Sequence, residues 1–132
     1  MRGMKRRAYL KTMLAGACAA GAAAANKEHP IQLHVDLSVD PAKEQEMLHN
    51  FQTIFQPAAS KQPGFIDVKM LKLRSVLAGS GPSGANYRFQ LVFASEPQRQ
   101  AWVATETHKR VWPMIEKTLA STSYTIMLYD EA

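Results

Sequence analysis

The sequence predicts an α+β fold with the element order β-α-β-β-α-β, and three observations predict it. Residues 31–39 alternate strictly between apolar and polar side chains, which is typical of a strand with one buried face. Apolar residues recur at helical spacing over residues 47–58. Ser95, with Gln98 three residues later, has the pattern of a capping box at the start of a second helix. This order is the split β-α-β, or ferredoxin-like, arrangement with a four-stranded antiparallel sheet.

The first helix is predicted to begin after Asp40, which can cap it, with Pro41 at its first position. Pro57 should kink or end this helix near its last turn, and residues 62–64, Gln-Pro-Gly, turn the chain. One apolar stripe of the helix is expected to face the core: Met47, Leu48, Phe51, Ile54, Phe55 and Ala58.

The next two strands are predicted over residues 65–77 and 87–93. The apolar residues of the first change parity between Met70 and Leu71, which predicts a bulge or burial on both faces there. The loop 78–86 contains Gly-Ser-Gly-Pro-Ser-Gly, but a strand follows it where a dinucleotide site requires a helix. We therefore interpret residues 78–86 as a hairpin loop, and residues 121–129 as the last strand.

The second helical region has a break and carries the main candidate residue. Pro97 sits in the first turn of a helix that begins at Glu96. After the break, Val111, Trp112, Ile115 and Leu119 recur at helical spacing. His108 lies four residues before Trp112 and thus on the same face. An imidazole is therefore expected where apolar side chains point.

Residues 1–25 are interpreted as a cleaved signal peptide ahead of a single domain, residues 26–132. A basic start is followed by an apolar run of fourteen residues, too short to span a bilayer, and by an Ala-x-Ala site ending at Ala25. The pair Arg6 and Arg7 resembles the twin-arginine export motif, which predicts an exported, periplasmic protein that crosses the membrane folded. An ordinary secretory signal and a lipid anchor at Cys18 are the alternatives.

Cleavage removes the basic character of the chain. The net charge is +5, but five of the sixteen Lys and Arg precede Asn26 and none of the eleven acids does. Eleven bases and eleven acids then cancel, so the charge gives no support for a nucleic-acid or anionic-membrane partner. Cys18 is the only cysteine, so the mature chain can form no internal disulfide.

Several motifs together resemble the antibiotic-biosynthesis monooxygenase family, which belongs to the dimeric α/β-barrel superfamily. They are Gln-Pro-Gly-Phe at 62–65, Val-Phe-Ala-Ser at 92–95, Trp-Val-Ala-Thr-Glu-Thr-His at 102–108 and Val-Trp-Pro at 111–113. The resemblance covers residues 31–129. It implies a homodimer with a pocket between helices and sheet in each subunit, and in some members oxygenation of a phenolic or quinol substrate without metal or cofactor.

On this resemblance His108 is the candidate base, since an imidazole titrates near neutrality. Trp102 and Trp112 are candidate cavity walls. Candidates for orienting a substrate oxygen atom are Tyr87, Tyr124 and Asn86. The alternatives stay open: His108 as a core residue bonded to a carbonyl, the two Trp as core, and the protein as a dimeric module that binds a small molecule or a partner without turnover.

Two other chemistries fit the sequence poorly. His34 and Asp36 share one face of the first strand, but two ligands without a third do not make a metal site. The haem-degrading branch of the family has an Asn on the first strand and a Trp just after the third. Here the first strand has no Asn and Phe93 stands near the Trp position, so only His108 matches.

Overall fold

The computed structural model describes residues 29–132. Arg6, Arg7, Cys18 and the cleavage site at Ala25 lie outside the described residues. Four strands form one sheet: β1 (Ile31–Leu37), β2 (Phe65–Lys72), β3 (Tyr87–Phe93) and β4 (Thr125–Asp130).

The strands are ordered β2-β3-β1-β4 and every neighbouring pair is antiparallel. The two helical regions follow β1 and β3, so the chain has the element order β-α-β-β-α-β. The predicted α+β, ferredoxin-like fold is therefore confirmed.

The first helical region changes its hydrogen-bonding pattern twice. A 3₁₀ turn, Pro41–Lys43, is capped by the Asp40 carboxylate, which accepts from the backbone N–H of Ala42. Helix α1 (Glu44–Asn50) leads into a π-helical stretch, Phe51–Phe55, and then into α2 (Gln56–Ser60). The predicted disturbance near Pro57 is thus a wider turn just before the proline, and it leaves Phe51 and Phe55 buried.

The second helical region is broken as the sequence predicts. Helix α3 (Glu96–Val103) is capped by Ser95, and helix α4 (Glu106–Glu116) is capped by Thr105. The Thr105 hydroxyl donates to the carbonyl oxygen of Trp102 at 2.7 Å and accepts from the N–H of His108 at 3.0 Å. One side chain therefore fixes the corner between the two helices.

The helices cover one face of the sheet. On β3, Tyr87, Phe89, Leu91 and Phe93 are buried, whereas the residues between them are half-buried. The covered face and the helices share an aromatic core in which Phe55 meets the rings of Phe89, Trp102 and Trp112 at centroid distances of 5.2 to 6.0 Å. Within residues 29–132, no helix has the length and apolar character needed to cross a membrane.

The structure corrects the ends of three predicted strands. The strand predicted over residues 65–77 ends at Lys72, and its irregularity lies between Phe65 and Asp67, not at Met70. The last strand begins at Thr125, because residues 121–124 pair with no neighbour. The first ends at Leu37, and Val39 adds only an isolated bridge to Leu119. In the first strand the side-chain alternation continues to Val39, past the last ladder pair at Leu37, so there it overstates the length of the strand.

Candidate functional site

A cavity of about 180 Å³ lies between the covered face of the sheet and helices α3 and α4. Its floor is apolar and belongs to β1 and β3. The helices add two indoles, an imidazole and a guanidinium. The residues that line it include Leu33, Val35, Phe55, Phe89, Leu91, Arg99, Trp102, Val103, His108, Trp112, Tyr124 and Ile126.

His108 stands between the two tryptophans at this cavity. Its ring meets Trp102 edge to face at 5.1 Å and lies nearly parallel to Trp112 at 6.5 Å. Neither imidazole nitrogen hydrogen-bonds to another of residues 29–132. Thr105 at the helix corner and the two indole rings thus hold His108 in place, and none of the other residues from 29 to 132 occupies its ring nitrogens.

The surroundings of His108 favour its neutral form. Burial lowers the pKa of His108, and the positive charge of Arg99 lowers it further. A neutral imidazole has one nitrogen that can accept a proton. At neutral pH the cavity therefore presents a proton acceptor and not a second cation.

Arg99 brings the positive charge to the cavity. Its guanidinium donates two hydrogen bonds to the Glu96 carboxylate, at 2.7 and 2.6 Å. Glu96 lies in the first turn of α3, where a carboxylate is favoured. The ion pair holds Arg99 beside the cavity, where its remaining N–H groups can stabilise an anionic oxygen.

Tyr124 closes another side of the cavity and is held by two hydrogen bonds. Its hydroxyl accepts from Trp112 Nε1 at 3.3 Å and donates to Glu116 Oε2 at 2.9 Å. Burial is the main reason that the pKa of Tyr124 is raised; the hydrogen bond from Trp112 acts against it, and the hydrogen bond to Glu116 and its charge act with it. The hydroxyl proton is committed to Glu116, so Tyr124 can only accept a hydrogen bond from a ligand.

The structure brings four predicted site residues together and places two elsewhere. His108, Trp102, Trp112 and Tyr124 line the same cavity. Trp102 is also core, with 2% of its surface exposed, whereas Trp112 is half-buried. Both tryptophans therefore pack in the core and also form walls of the cavity, so the two interpretations are compatible.

Tyr87 and Asn86 do not line this cavity. The Tyr87 hydroxyl donates to Glu44 Oε2 at 2.5 Å, and burial together with this carboxylate raises the pKa of Tyr87 to about 12. The Asn86 side chain accepts from the N–H of Val39 and donates to its carbonyl oxygen, at 2.8 and 3.0 Å. Both residues tie the start of β3 to neighbouring segments, so we assign them no substrate contact.

The residues considered for a metal have other partners. Asp36 accepts two hydrogen bonds from Arg88 at 2.8 and 3.1 Å, and His34 Nε2 lies 2.9 Å from Gln32 Oε1. Among the described residues, no three His, Cys, Asp or Glu side chains are placed to share a metal ion.

Arg99 and Glu116 were not among the site residues predicted from the sequence. Arg99 precedes Trp102 by three residues, and Glu116 follows Trp112 by four, so helical spacing places each beside an indole. A charged residue on the same helical face as a tryptophan is therefore the sequence signal for both.

The chain matches no family model and no curated protein, but solved structures share its fold. A protein from Caulobacter crescentus CB15, proposed to be an antibiotic-biosynthesis monooxygenase, aligns with TM-score 0.63 and 20% identity over 80% of this chain and 92% of its own. A variant of SnoaB, a cofactor-independent oxygenase from Streptomyces nogalater, aligns with TM-score 0.62 and 14% identity over 78% of this chain and 93% of its own.

A dimeric ferredoxin-like protein of unknown function from Jannaschia sp. CCS1 aligns with TM-score 0.65 and 15% identity. The alignment covers 77% of this chain and 99% of that protein. At these identities the likeness establishes a common fold, and this fold carries oxygenases as well as proteins without an assigned reaction.

Proposed function

We propose that this chain is an exported, homodimeric member of the antibiotic-biosynthesis monooxygenase family that oxygenates a small aromatic or quinol substrate without a cofactor. The observation that carries the proposal is the position of His108 in an aromatic-walled cavity, with its nitrogens unengaged among residues 29–132 and Arg99 nearby. The resemblance of residues 102–113 to the family supports the same assignment.

The residues suggest how such a reaction would begin. A phenol or quinol gives up an electron to O₂ far more readily as its anion, so the protein must first remove the hydroxyl proton. Neutral His108 accepts that proton. Arg99 stabilises the resulting phenolate, and the apolar walls exclude water and strengthen this attraction. The anion then transfers an electron to O₂.

The homodimer is proposed from the uncovered face of the sheet. This face carries half-buried side chains and the ion pair between Asp36 and Arg88. The Jannaschia protein of the same fold is described as dimeric. Packing of two such faces would cover both sheets and leave each cavity on its own helical side.

One observation favours the alternative, a binding module without turnover. A catalytic base is commonly oriented by a third group, whereas no side chain among residues 29–132 hydrogen-bonds the His108 ring. Ligand binding needs only the shaped cavity and its few polar groups.

Oxygen uptake by residues 26–132 with a panel of hydroquinones and polycyclic phenols tests the proposal. His108→Ala should reduce uptake about 10²- to 10⁴-fold, the usual contribution of a general base, while thermal unfolding and the dimer are retained. His49→Ala is the matched control because His49 is an exposed imidazole on α1. A folded His108→Ala variant with unchanged uptake would contradict the assignment of the base, and binding without uptake would favour the binding module.

A further inference from the structure

An apolar strip continues from the cavity onto the surface of the protein. Val103 and Ile126 line the cavity, yet they are 39% and 57% exposed. Leu128, two residues farther along β4, is 48% exposed. Large apolar side chains that are scattered singly need no explanation, but a row that leads out of a cavity indicates a binding surface.

The register of the sheet shows why this strip is uncovered. Ile126 pairs with Val35 and Leu128 pairs with Leu33, so both point to the same side as the cavity floor. β4 is an edge strand, however, and the helices leave its side chains at this face exposed. The floor of the cavity therefore continues across the sheet onto β4 as the exposed apolar strip.

The size of the cavity limits what can lie inside it. An apolar cavity of about 150 Å³ holds one benzene molecule, and pockets for drug-sized ligands occupy about 300 to 1,000 Å³. The cavity here has about 180 Å³. One aromatic ring fits, and any larger substituent has to leave through the opening.

We propose that the substrate is a single-ring phenol or quinol carrying an apolar chain, with the ring in the cavity and the chain along Val103, Ile126 and Leu128. This inference rests on the proposed function, since it names the substrate class of the same site. The ring hydroxyl lies toward His108 and Arg99, and the chain leaves over β4. A second copy of this chain on the β4 edge would occupy the same strip and is the competing occupant.

Binding by calorimetry, without oxygen, tests the inference with hydroquinones whose 2-substituent is hydrogen, butyl or hexyl, and with an ether chain of hexyl length as the polar control. The protein is purified after export. Burial of one methylene in full is worth about a fourfold gain in affinity, so half-burial on an open strip predicts about twofold per methylene. The ether chain should gain much less.

Leu128→Ser should weaken the gain with chain length and leave the affinity for unsubstituted hydroquinone within about twofold, because Leu128 lies outside the cavity. Leu77→Ser is the matched control, since Leu77 is 94% exposed and lies away from the cavity. It should change nothing.

The outcomes separate this inference from the proposed function. Equal affinity for every chain length overturns the inference. This result is also expected if a second copy of the chain covers the strip. Oxygen uptake with unsubstituted quinols would then leave the proposed function standing. Chain-dependent binding without oxygen uptake supports the strip and contradicts the oxygenase. Absence of binding by every hydroquinone overturns the inference, and oxygen uptake with the polycyclic phenols of the panel would then leave the proposed function standing.

Discussion

The two half-buried imidazoles of this domain lie on opposite faces of the sheet. Burial is the main reason that the pKa of each is lowered, and in each a neighbouring arginine lowers it further: Arg99 for His108 and Arg88 for His34. For His34 the carboxylate of Asp36 acts against these effects. The pKa is thus shifted in the same direction, and for the same main reason, at both residues.

Their surroundings differ in what they leave available. His108 faces a cavity and stands between two indole rings. His34 lines an open depression on the uncovered face, but its Nε2 bonds to Gln32 and its Nδ1 is buried without a hydrogen-bond partner among residues 29–132, beside the ring of Tyr129. A shifted pKa marks burial, whereas a ring nitrogen that a ligand can reach marks a candidate base.

The largest difference between the two faces should appear in stability. Trp102→Ala is expected to lower the free energy of unfolding by about 3 to 5 kcal/mol, because the indole is 2% exposed and packs against Phe55 and His108. Tyr129→Ala, which removes a 47% exposed ring on the other face, should cost about 1 kcal/mol or less in the monomer. Urea denaturation measures both. Equal losses would show that the uncovered face is as tightly packed as the core.

The pH dependence sharpens the comparison next. A lowered folded-state pKa means that the unfolded chain binds more protons, so each histidine destabilises the fold as the pH falls below its ordinary value of about 6.5. Unfolding free energies between pH 5 and 8 should therefore fall toward acid, and His108→Ala should flatten this fall more than His34→Ala, because the charge of Asp36 offsets part of the pKa shift at His34. The rate of oxygen uptake should fall toward acid with a midpoint below pH 6.5, because His108 has to be neutral to accept the substrate proton. A midpoint above 6.5 would mean that another group controls the rate.

The smallest effect is expected for the ion pair on the uncovered face. Asp36→Asn removes a pair whose side chains are 14% exposed for Asp36 and 38% exposed for Arg88. Such a pair contributes about 0.2 to 1 kcal/mol while the face is open to water. Denaturation at several protein concentrations measures the loss. A loss that grows with concentration would indicate that a second subunit covers Arg88 and leaves its charge buried.

Much of the fold could be predicted because its signals are local. The caps at Asp40 and Ser95 and the alternation of β1 each involve residues within one turn or one strand. The strand ends were less accurate. Apolar residues continue as far as Leu77, but β3 begins only at Tyr87, so β2 has no partner strand beyond Lys72.

The candidate site was predicted only in part, because local spacing identifies some of its residues and not others. His108 and Trp112 share a helix face, and local spacing identifies them. Tyr87 is an aromatic residue in a strand next to a loop, and nothing local tells whether its hydroxyl meets a ligand or the carboxylate of Glu44, 43 residues earlier in the chain.

The sequence by itself determined the two helical regions, the caps at Asp40 and Ser95, the order of strands and helices, and the face on which His108 lies, because hydrogen bonds and side-chain spacing within a few residues set these features. The tertiary structure decided which side chains share the cavity and which part of β4 stays uncovered. Those contacts join residues far apart in the chain, and the packing of helices on the sheet selects them.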